Sequence, residues 1–337
     1  MKSFHHPLSS SGLDRRQWLK SAAAGCAAAG LPMALQAQVA YPRGPVTLLV
    51  PFPPGGLLDS VARIVAPSLG QSLGQPLVVE NKPGSGGNIG AAAVAKAAAD
   101  GQTLLLASPA LTISPAIYDK LAYAPDDLVP VASLGSLPNV LLVPASSPAR
   151  TVKDLLDQLK AKPGAYSYAS NGNGTSLHLS MELLKFKTKT FALHVPYRGS
   201  GPAMTALISG DVQLMFDNLP PALAHIQSGR VRALAVTSAR RSSVLPDVPT
   251  LQEAGVPDFD VTAWFGLMAP KGTPTATLRR LEADSAKAIA QADVAEALRK
   301  QGIEPQFQDA SAFGQRLARE RKQWQSVVDY AKIKMDS

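Results

Sequence analysis

The sequence has 337 residues, of which 46% are hydrophobic and 17% are charged, and its formal net charge at pH 7 is +8. A chain of this length and composition can bury a sizeable core and can form two domains. Its basic residues form no stripe interleaved with aromatic side chains, which disfavours nucleic-acid binding. The mild positive charge instead suits a small acidic ligand.

The N-terminal region predicts an export signal over residues 1–37. Arg15 and Arg16 precede an alanine-rich apolar run at 22–35, and the small-residue sequence ALQA predicts cleavage after Ala37. The arginine pair is typical of twin-arginine signals, and an ordinary Sec signal is the alternative. The run is shorter than the about 20 apolar residues of a membrane span. The sequence therefore predicts a mature protein in the periplasm.

The single cysteine, Cys26, lies inside this predicted signal. Cleavage would leave 29 basic residues against 24 acidic ones and no thiol, which excludes disulfides, cysteine nucleophiles and cysteine-bound metals from the mature chain. Three histidines remain, and none has a carboxylate at a familiar ligand spacing. No metal site is predicted.

Short β-branched runs alternate with helical patterns after the signal, which favours an α/β fold with largely parallel sheets. The predicted strands cover residues 46–50, 77–79, 103–107, 140–143, 166–169, 192–195, 214–216 and 233–236. The predicted helices between them include residues 60–69, 90–98, 152–160 and 202–209. From residue 275 to residue 330 the pattern is helical, with few strand signals.

Two apolar segments, residues 139–144 and 263–270, have the character of strands that cross between domains, and each ends in proline. They bracket a block of ordinary domain size. The sequence therefore predicts a first lobe built from residues 38–144 and 263–337, and a second lobe built from residues 145–262. Two such crossovers form a hinge, and the expected ligand site is the cleft between the lobes.

Three predicted loops share one arrangement, in which a strand ends, small residues follow and a helix begins. They are residues 51–59 (PFPPGGLLD), 108–110 (SPA) and 170–176 (SNGNGTS). The C-terminal ends of parallel strands meet at one edge of a sheet. Free N–H groups of helix N-termini point outward there and favour an anion. Glycines let a ligand approach the backbone closely.

Other motifs for anions and for catalysis are missing from the sequence. It contains no phosphate-binding loop that ends in Gly-Lys and a hydroxyl residue, no complete dinucleotide fingerprint and no Gly-x-Ser-x-Gly elbow. The interpretation that survives is a carboxylate held by backbone amides and hydroxyls, and the alternative is a turn that only caps the next helix. Neither an enzymatic activity nor a cofactor is predicted.

Four side chains near these loops have two interpretations each. His178 could contact a ligand or pack within a helix, and Arg198 could grip a carboxylate or lie exposed on a turn. Asp217 could accept a hydrogen bond from a ligand amine or cap the following helix. Trp264 could form the floor of the cleft or pack in the core.

The chain from about residue 42 to about residue 330 resembles the Bug receptors, the periplasmic solute-binding components of tripartite tricarboxylate transporters. The resemblance depends on ordered segments that include VPFPPGG (50–56), ENKPGSGGNIGA (80–91), SNGNGTSLHL (170–179), PYRGSGPAM (196–204), GDVQLMFDNLP (210–220) and AWFGLMAP (263–270). It implies a type II periplasmic-binding-protein fold that closes on a small carboxylate. The implied partners of this expected monomer are membrane permease subunits, or a sensor kinase if the closed form serves in signalling.

In that family, the loop after the first strand and the glycine- and hydroxyl-rich loop of the second lobe hold the ligand. The resemblance and the loop chemistry together predict these ligand-binding residues: Phe52, Pro54, Gly55, Gly56, Leu58, Asp59, Ser108, Ser170, Asn171, Gly172, Gly174, Thr175, Ser176, Tyr197, Asp217 and Trp264. Many relatives carry Thr or Ser directly before the aspartate, where this sequence has Leu57 and Leu58. The difference predicts a monocarboxylate with an apolar or aromatic part.

Overall fold

A computed structural model describes Met1, Ser3 and residues 41–197 and 199–333. Arg198 and nearly all of the predicted export signal lie outside the described residues. The strands are β1 (Val46–Val50), β2 (Leu77–Asn81), β3 (Thr103–Ala107), β4 (Leu128–Pro144), β5 (Ser167–Ser170), β6 (Leu193–Pro196), β7 (Leu214–Asn218), β8 (Val231–Val236), β9 (Thr262–Pro270) and β10 (Glu304–Gln308).

The α-helices connect these strands through most of the chain. They are α1 (Leu57–Leu73), α2 (Asn88–Ala95), α3 (Ala110–Ile117), α4 (Val152–Ala161), α5 (Ser176–Thr188), α6 (Ser200–Ser209), α7 (Leu219–Gln227), α8 (Thr275–Ala290), α9 (Ala292–Lys300) and α10 (Ala310–Ala331). Across the described ranges, no helix has both the length and the apolar character that a membrane crossing requires.

Each predicted strand corresponds to an observed one, but the expectation of largely parallel sheets is only half right. β1 pairs in parallel with β2 and β3, and β5 pairs in parallel with β6 and β7. β4 and β9 run antiparallel to all the strands with which they pair. The strand order is β2-β1-β3-β9-β4-β7-β5-β6, and β8 and β10 also pair with β4. Two parallel groups are therefore joined through two long antiparallel strands.

Strand β4 changes its neighbours within its own length. Residues 128–138 pair with β9, whereas residues 139–144 pair with β7 and β8. The predicted crossover at 139–144 therefore lies with the strands of the second lobe, and the passage between lobes occurs at Pro138–Asn139. The chain returns at Val261–Thr262: the N–H of Val261 bonds the Thr237 carbonyl of the second lobe, and β9 then begins.

Helices α3 and α10 contribute side chains to the apolar cores of both lobes. Near its start, α10 packs Phe313 against Trp264 in the first lobe. Further along, Trp324 belongs to the buried cluster of the second lobe, and so do Ile113 and Ile117 of α3. The prediction assigned α10 to the first lobe alone, and the packing shows that its last turns cover the second lobe.

Candidate functional site

The predicted loops all follow the C-terminal ends of parallel strands. In the first lobe, the ends of β1, β2 and β3 lead into α1, α2 and α3, with a short 3-10 helix, Ser85–Gly87, ahead of α2. In the second lobe, the ends of β5, β6 and β7 lead into α5, α6 and α7. Each lobe therefore presents a group of helix N-termini at one edge of its parallel strands, where anions are favoured.

Asp59 holds the loop that follows β1. Its Oδ2 accepts hydrogen bonds from the Gly55 N–H at 2.9 Å and from Arg63 Nε at 3.0 Å. Asn81 Nδ2 donates to its Oδ1 at 3.0 Å and to the Phe52 carbonyl at 3.1 Å. The hydrogen bond from Arg63, aided by the other two donors, lowers the pKa of Asp59 to about 2. With both oxygens bonded and the residue buried, Asp59 fixes the loop and offers little to a ligand.

Leu58 does not face a ligand cleft. It is 6% exposed and belongs to the apolar core of the first lobe, and Leu57 packs against the same cluster. The assignment of Leu58 as a ligand contact is therefore corrected, and the argument for an apolar ligand part loses its basis. Pro54, Gly55 and Gly56 remain exposed in this loop.

Ser108 lies in a concave surface of the first lobe that also includes Asn88. This surface is lined by residues that follow each of β1, β2 and β3, such as Phe52 and Gly87, and by Tyr123, which lies between α3 and β4. Asn88 is only 7% exposed, and its Oδ1 accepts a hydrogen bond from Tyr123 Oη at 3.2 Å. Its Nδ2 has no hydrogen-bond partner among the described residues. A buried unpaired donor at the N-terminus of α2 suits a carboxylate oxygen.

The sequence-based prediction missed Asn88 and the glycines before it. The segment GSGGN repeats the arrangement of the other loops: it follows strand β2, is rich in glycine and ends where a helix begins. Gly87 has φ +100°, and a side chain there would meet the ring of Phe52. The signal was present in the segment that carried the family resemblance, but no residue of it was assigned to the site.

The second-lobe loop is fixed by its own hydroxyl groups. Ser170 is buried, and its Oγ accepts the Gly172 N–H at 3.2 Å. Thr175 caps α5: its Oγ1 accepts the His178 N–H at 3.3 Å and donates to the Gly172 carbonyl at 2.9 Å. Gly172 has φ +140°. Because these side chains bond within the loop, the N–H groups at the start of α5 are among its remaining donors.

Tyr197 and Asn171 connect this loop to the end of β6. The N–H of Tyr197 donates to the Ser170 carbonyl at 3.0 Å, and the N–H of Gly199 donates to the Asn171 carbonyl at 3.3 Å. Asn171 Oδ1 is buried and accepts no hydrogen bond within the described ranges. Backbone hydrogen bonds therefore join the loops after β5 and β6.

Asp217 is fully buried at the end of β7. Its Oδ1 accepts hydrogen bonds from Ser200 Oγ at 2.7 Å and from the Asn218 N–H at 2.9 Å. Its Oδ2 has no donor in the described part of the chain. Burial raises the pKa of Asp217 to about 6, although these two hydrogen bonds oppose the rise. Neither bond reaches an N–H of α7 itself, and the N-cap Asn218 has no side-chain cap hydrogen bond, so the capping interpretation of Asp217 is wrong. The oxygen without a donor leaves room for a donor from a ligand.

Trp264 lies in the core and has no exposed surface. Its ring packs edge-on against Phe313, and its Nε1 donates to Glu320 Oε2 at 2.8 Å. The interpretation of Trp264 as the floor of a cleft is therefore corrected to core packing. Residues 263–270 of β9 are all buried, so its continuous apolar run did not distinguish a side chain facing a cleft from one facing the core.

The second-lobe loop also reaches a helix of the first lobe. A side-chain carbon built on Gly174 would lie 2.3 Å from Cδ1 of Ile117, at the end of α3. Because α3 begins two residues after Ser108, this contact brings the second-lobe loop against the helix that starts at the first-lobe surface. Over the ranges that the structure covers, no cluster of His, Cys, Asp or Glu could hold a metal ion.

Comparison with known proteins identifies the family to which the chain is similar. Residues 61–333 match the family described as "Tripartite tricarboxylate transporter family receptor". The protein BugT of Bordetella pertussis is 40% identical over 308 residues, which cover 90% of this chain and 93% of BugT. The solved structure of R. palustris Rpa4515 with adipate has 35% identity and a TM-score of 0.77, and the match covers 88% of this chain and 100% of that one.

A second solved structure, MatC (Rpa3494) from Rhodopseudomonas palustris with bound malate, has 35% identity and a TM-score of 0.72. That match covers 86% of this chain and 100% of MatC. The similarity confirms the predicted two-lobed periplasmic-binding-protein fold. It also identifies the proteins that this chain resembles as binding proteins and not as enzymes.

Proposed function

This chain belongs to the family of tripartite tricarboxylate transporter receptors, and we propose that it captures a small carboxylate between its two lobes for delivery to membrane permease subunits. One observation carries the proposal: the loops of both lobes, at the ends of parallel strands, contain buried polar atoms that have no hydrogen-bond partner in the described part of the chain. The unpaired Asn88 Nδ2 is the clearest of these groups. The proposal includes export of the chain and removal of residues 1–37.

In the first lobe, the proposed partner of a ligand carboxylate is the N-terminus of α2. The positive end of the helix dipole and the free donor of Asn88 both favour a negative oxygen there. A hydrogen bond to a charged group contributes about 1.5–3 kcal/mol. Tyr123 orients the Asn88 side chain by donating to its other end, so that Nδ2 is the atom left for the ligand.

In the second lobe, the proposed partner is the loop between β5 and α5. Its glycines and the first N–H groups of α5 accommodate an oxygen without a charged side chain. Two neighbouring acceptors without donors, Asn171 Oδ1 and Asp217 Oδ2, leave room for a ligand hydroxyl, ammonium group or water. The similar proteins solved with malate and with adipate make dicarboxylates the first class to examine, because Leu58 supplies no reason against a second carboxylate.

The test is calorimetric titration of the mature chain with malate, adipate and benzoate, followed by the variant Asn88→Leu. Leucine keeps the branched shape of asparagine but removes the donor. We expect one of the three compounds to bind, and Asn88→Leu to weaken its binding about tenfold or more, or about 1.4 kcal/mol.

The matched control is Tyr123→Phe. It removes the hydroxyl that bonds Asn88 Oδ1 but leaves Nδ2 in place, so its loss of affinity should be smaller. Saturable binding with equal affinity in Asn88→Leu would place the carboxylate elsewhere. Failure of all three acids to bind a folded mature chain would contradict the proposed class of ligand.

A further inference from the structure

Two histidines lie directly behind the second-lobe loop, and neither has a role in the proposed function. His178 is in the first turn of α5 and is buried, and His194 lies on the neighbouring strand β6. Their rings stack with centroids 3.9 Å apart and planes 10° from parallel. The ring of Tyr168 of β5 also lies against the pair, with its centroid 4.8 Å from that of His194 and 6.3 Å from that of His178. The rings form a rigid support under the loop.

Each histidine bonds one residue of the loop. The N–H of Gly174 donates to His178 Nδ1 at 3.1 Å, and Ser170 Oγ lies 2.7 Å from His194 Nε2. An N–H can only donate, so His178 Nδ1 must be unprotonated and the proton of this neutral ring must be on Nε2. Ser170 Oγ also takes the Gly172 N–H, and therefore His194 and the loop backbone share one hydroxyl.

The surroundings keep both rings neutral. Burial, and next the charge of Lys185, lowers the pKa of His178 to about 4. Burial, and next the neighbouring His178, lowers the pKa of His194 to about 3. The charged and titratable groups around the pair are Glu182 and Lys185 of α5, Tyr168 of β5 and Lys332 after α10. Glu182 Oε1 accepts from both Lys185 and Tyr168. The Glu182 carboxylate acts to raise the pKa of His194, but burial outweighs it.

We propose that His178 and His194 are positioning residues: as a stacked neutral pair, they hold Gly174 and Ser170 so that the remaining donors of the second-lobe loop face the ligand. The inference rests on the proposed function for its ligand, but the hydrogen bonds belong to the free protein. Without Nδ1 as an acceptor, the Gly174 N–H would be free to turn. The loop could then adopt several conformations, and the ligand would have to order it on binding.

The first test uses the unmodified mature chain, so it does not depend on any variant folding. Nuclear magnetic resonance of the imidazole nitrogens at pH 7 should show His178 with Nδ1 unprotonated and Nε2 protonated. The ring should remain neutral at pH 5, below the ordinary histidine pKa of about 6.5. A proton on Nδ1 at pH 7, or a charged His178 ring at pH 5, would overturn the proposal.

Variants separate the acceptor from the bulk of the ring. His178→Asn keeps an oxygen near the position of Nδ1, whereas His178→Leu fills the space without an acceptor. Hydrogen exchange of the Gly174 amide should accelerate about tenfold or more in His178→Leu and remain close to the unmodified rate in His178→Asn. His225→Leu, on α7 and away from the loop, is the control substitution. Equal protection of Gly174 in His178→Leu would remove the positioning role.

Binding of malate and adipate is then measured for the same variants. We expect His178→Leu to bind about tenfold more weakly than the unmodified chain and His178→Asn to bind with nearly unchanged affinity. A carboxylate that binds equally well to all variants would contradict the positioning role but not the proposed function. If the unmodified chain binds neither these acids nor benzoate, the proposed function fails while the ring tautomer and Gly174 exchange still decide the inference.

Discussion

A single buried carboxylate, Asp217, is the residue whose charge is least well compensated near the proposed site. Its folded-state pKa of about 6 lies above its ordinary value of 3.8. Between these two pH values the folded state binds more protons than the unfolded state. The free energy of unfolding therefore falls as pH rises through this interval, and the penalty is complete above about pH 6. Such a penalty is typical of groups that are kept for a ligand.

We predict that Asp217→Asn stabilises the ligand-free protein at pH 7. Removing the buried charge should raise the free energy of unfolding by about 1–3 kcal/mol, because each unit of pKa shift corresponds to about 1.4 kcal/mol. The weaker hydrogen bonds from Ser200 and Asn218 reduce the gain. Urea unfolding at pH 7 and pH 4.5 measures the effect, which should shrink at the lower pH. Exposed Asp247→Asn is the control, and a destabilisation of Asp217→Asn at both pH values would contradict the argument.

Individual side chains were the part of the site that the sequence predicted least well. Leu58 and Trp264 lie in segments that the sequence analysis singled out, but both side chains pack in the core. A sequence pattern at a strand end identifies where a loop lies, whereas the direction of one side chain depends on packing against residues distant in the chain. Asn88 was missed for the same reason. Its free donor, Nδ2, is identified only by the contact in which Tyr123 donates to Oδ1 of the same amide.

The loop between β5 and α5 depends on backbone conformation as well as on its side chains. Gly174 has φ +70°, which residues with a side chain rarely adopt, and it also lies against Ile117. We predict that Gly174→Ala destabilises the protein by about 1–3 kcal/mol through strain and contact together. Urea unfolding measures this loss, and ligand affinity should fall with it because the loop is displaced.

A second glycine separates these two causes. Gly229 has φ +69°, and no atom lies within 4 Å of a side chain placed there, so Gly229→Ala carries the strain alone. Gly174→Ala should lower the free energy of unfolding more than Gly229→Ala does. In a chain that already carries Ile117→Val, which removes Cδ1, the two alanine substitutions should cost the same. Equal losses for the two alanine variants would show that the contact with Ile117 is unimportant.

At the scale of elements, the sequence predicted the βα units well because their hydrophobic runs are short and buried. It missed β10 and the first half of β4. β10 reads EPQFQ and is largely exposed, so it has no apolar run. Residues 128–138 include two prolines and a glycine, which usually indicate loops. Gly135 is needed there because a side chain would lie 2.9 Å from the Glu304 carbonyl of β10.

For the molecule as a whole, the division into two lobes followed from the order of elements, but their connection did not. Two strands pass between the lobes, and α3 and α10 also place side chains in both cores. Contacts of this kind join residues far apart in the chain, and no local pattern indicates them. Because α10 packs along one side of both lobes, any opening is expected on the opposite side, about the strand passages at Pro138–Asn139 and Val261–Thr262.

We predict that a bound carboxylate draws the lobes together. Closing the cleft lets donors of both lobes reach one ligand, so ligand binding should favour the closed form by its difference in affinity for the two forms. Small-angle scattering of the mature chain should show a smaller radius of gyration with saturating malate or adipate, whichever binds. Asn88→Leu at the same ligand concentration should show less contraction, in proportion to its lower occupancy. An unchanged radius under saturation proven by calorimetry would mean that the ligand occupies a cleft that is already closed.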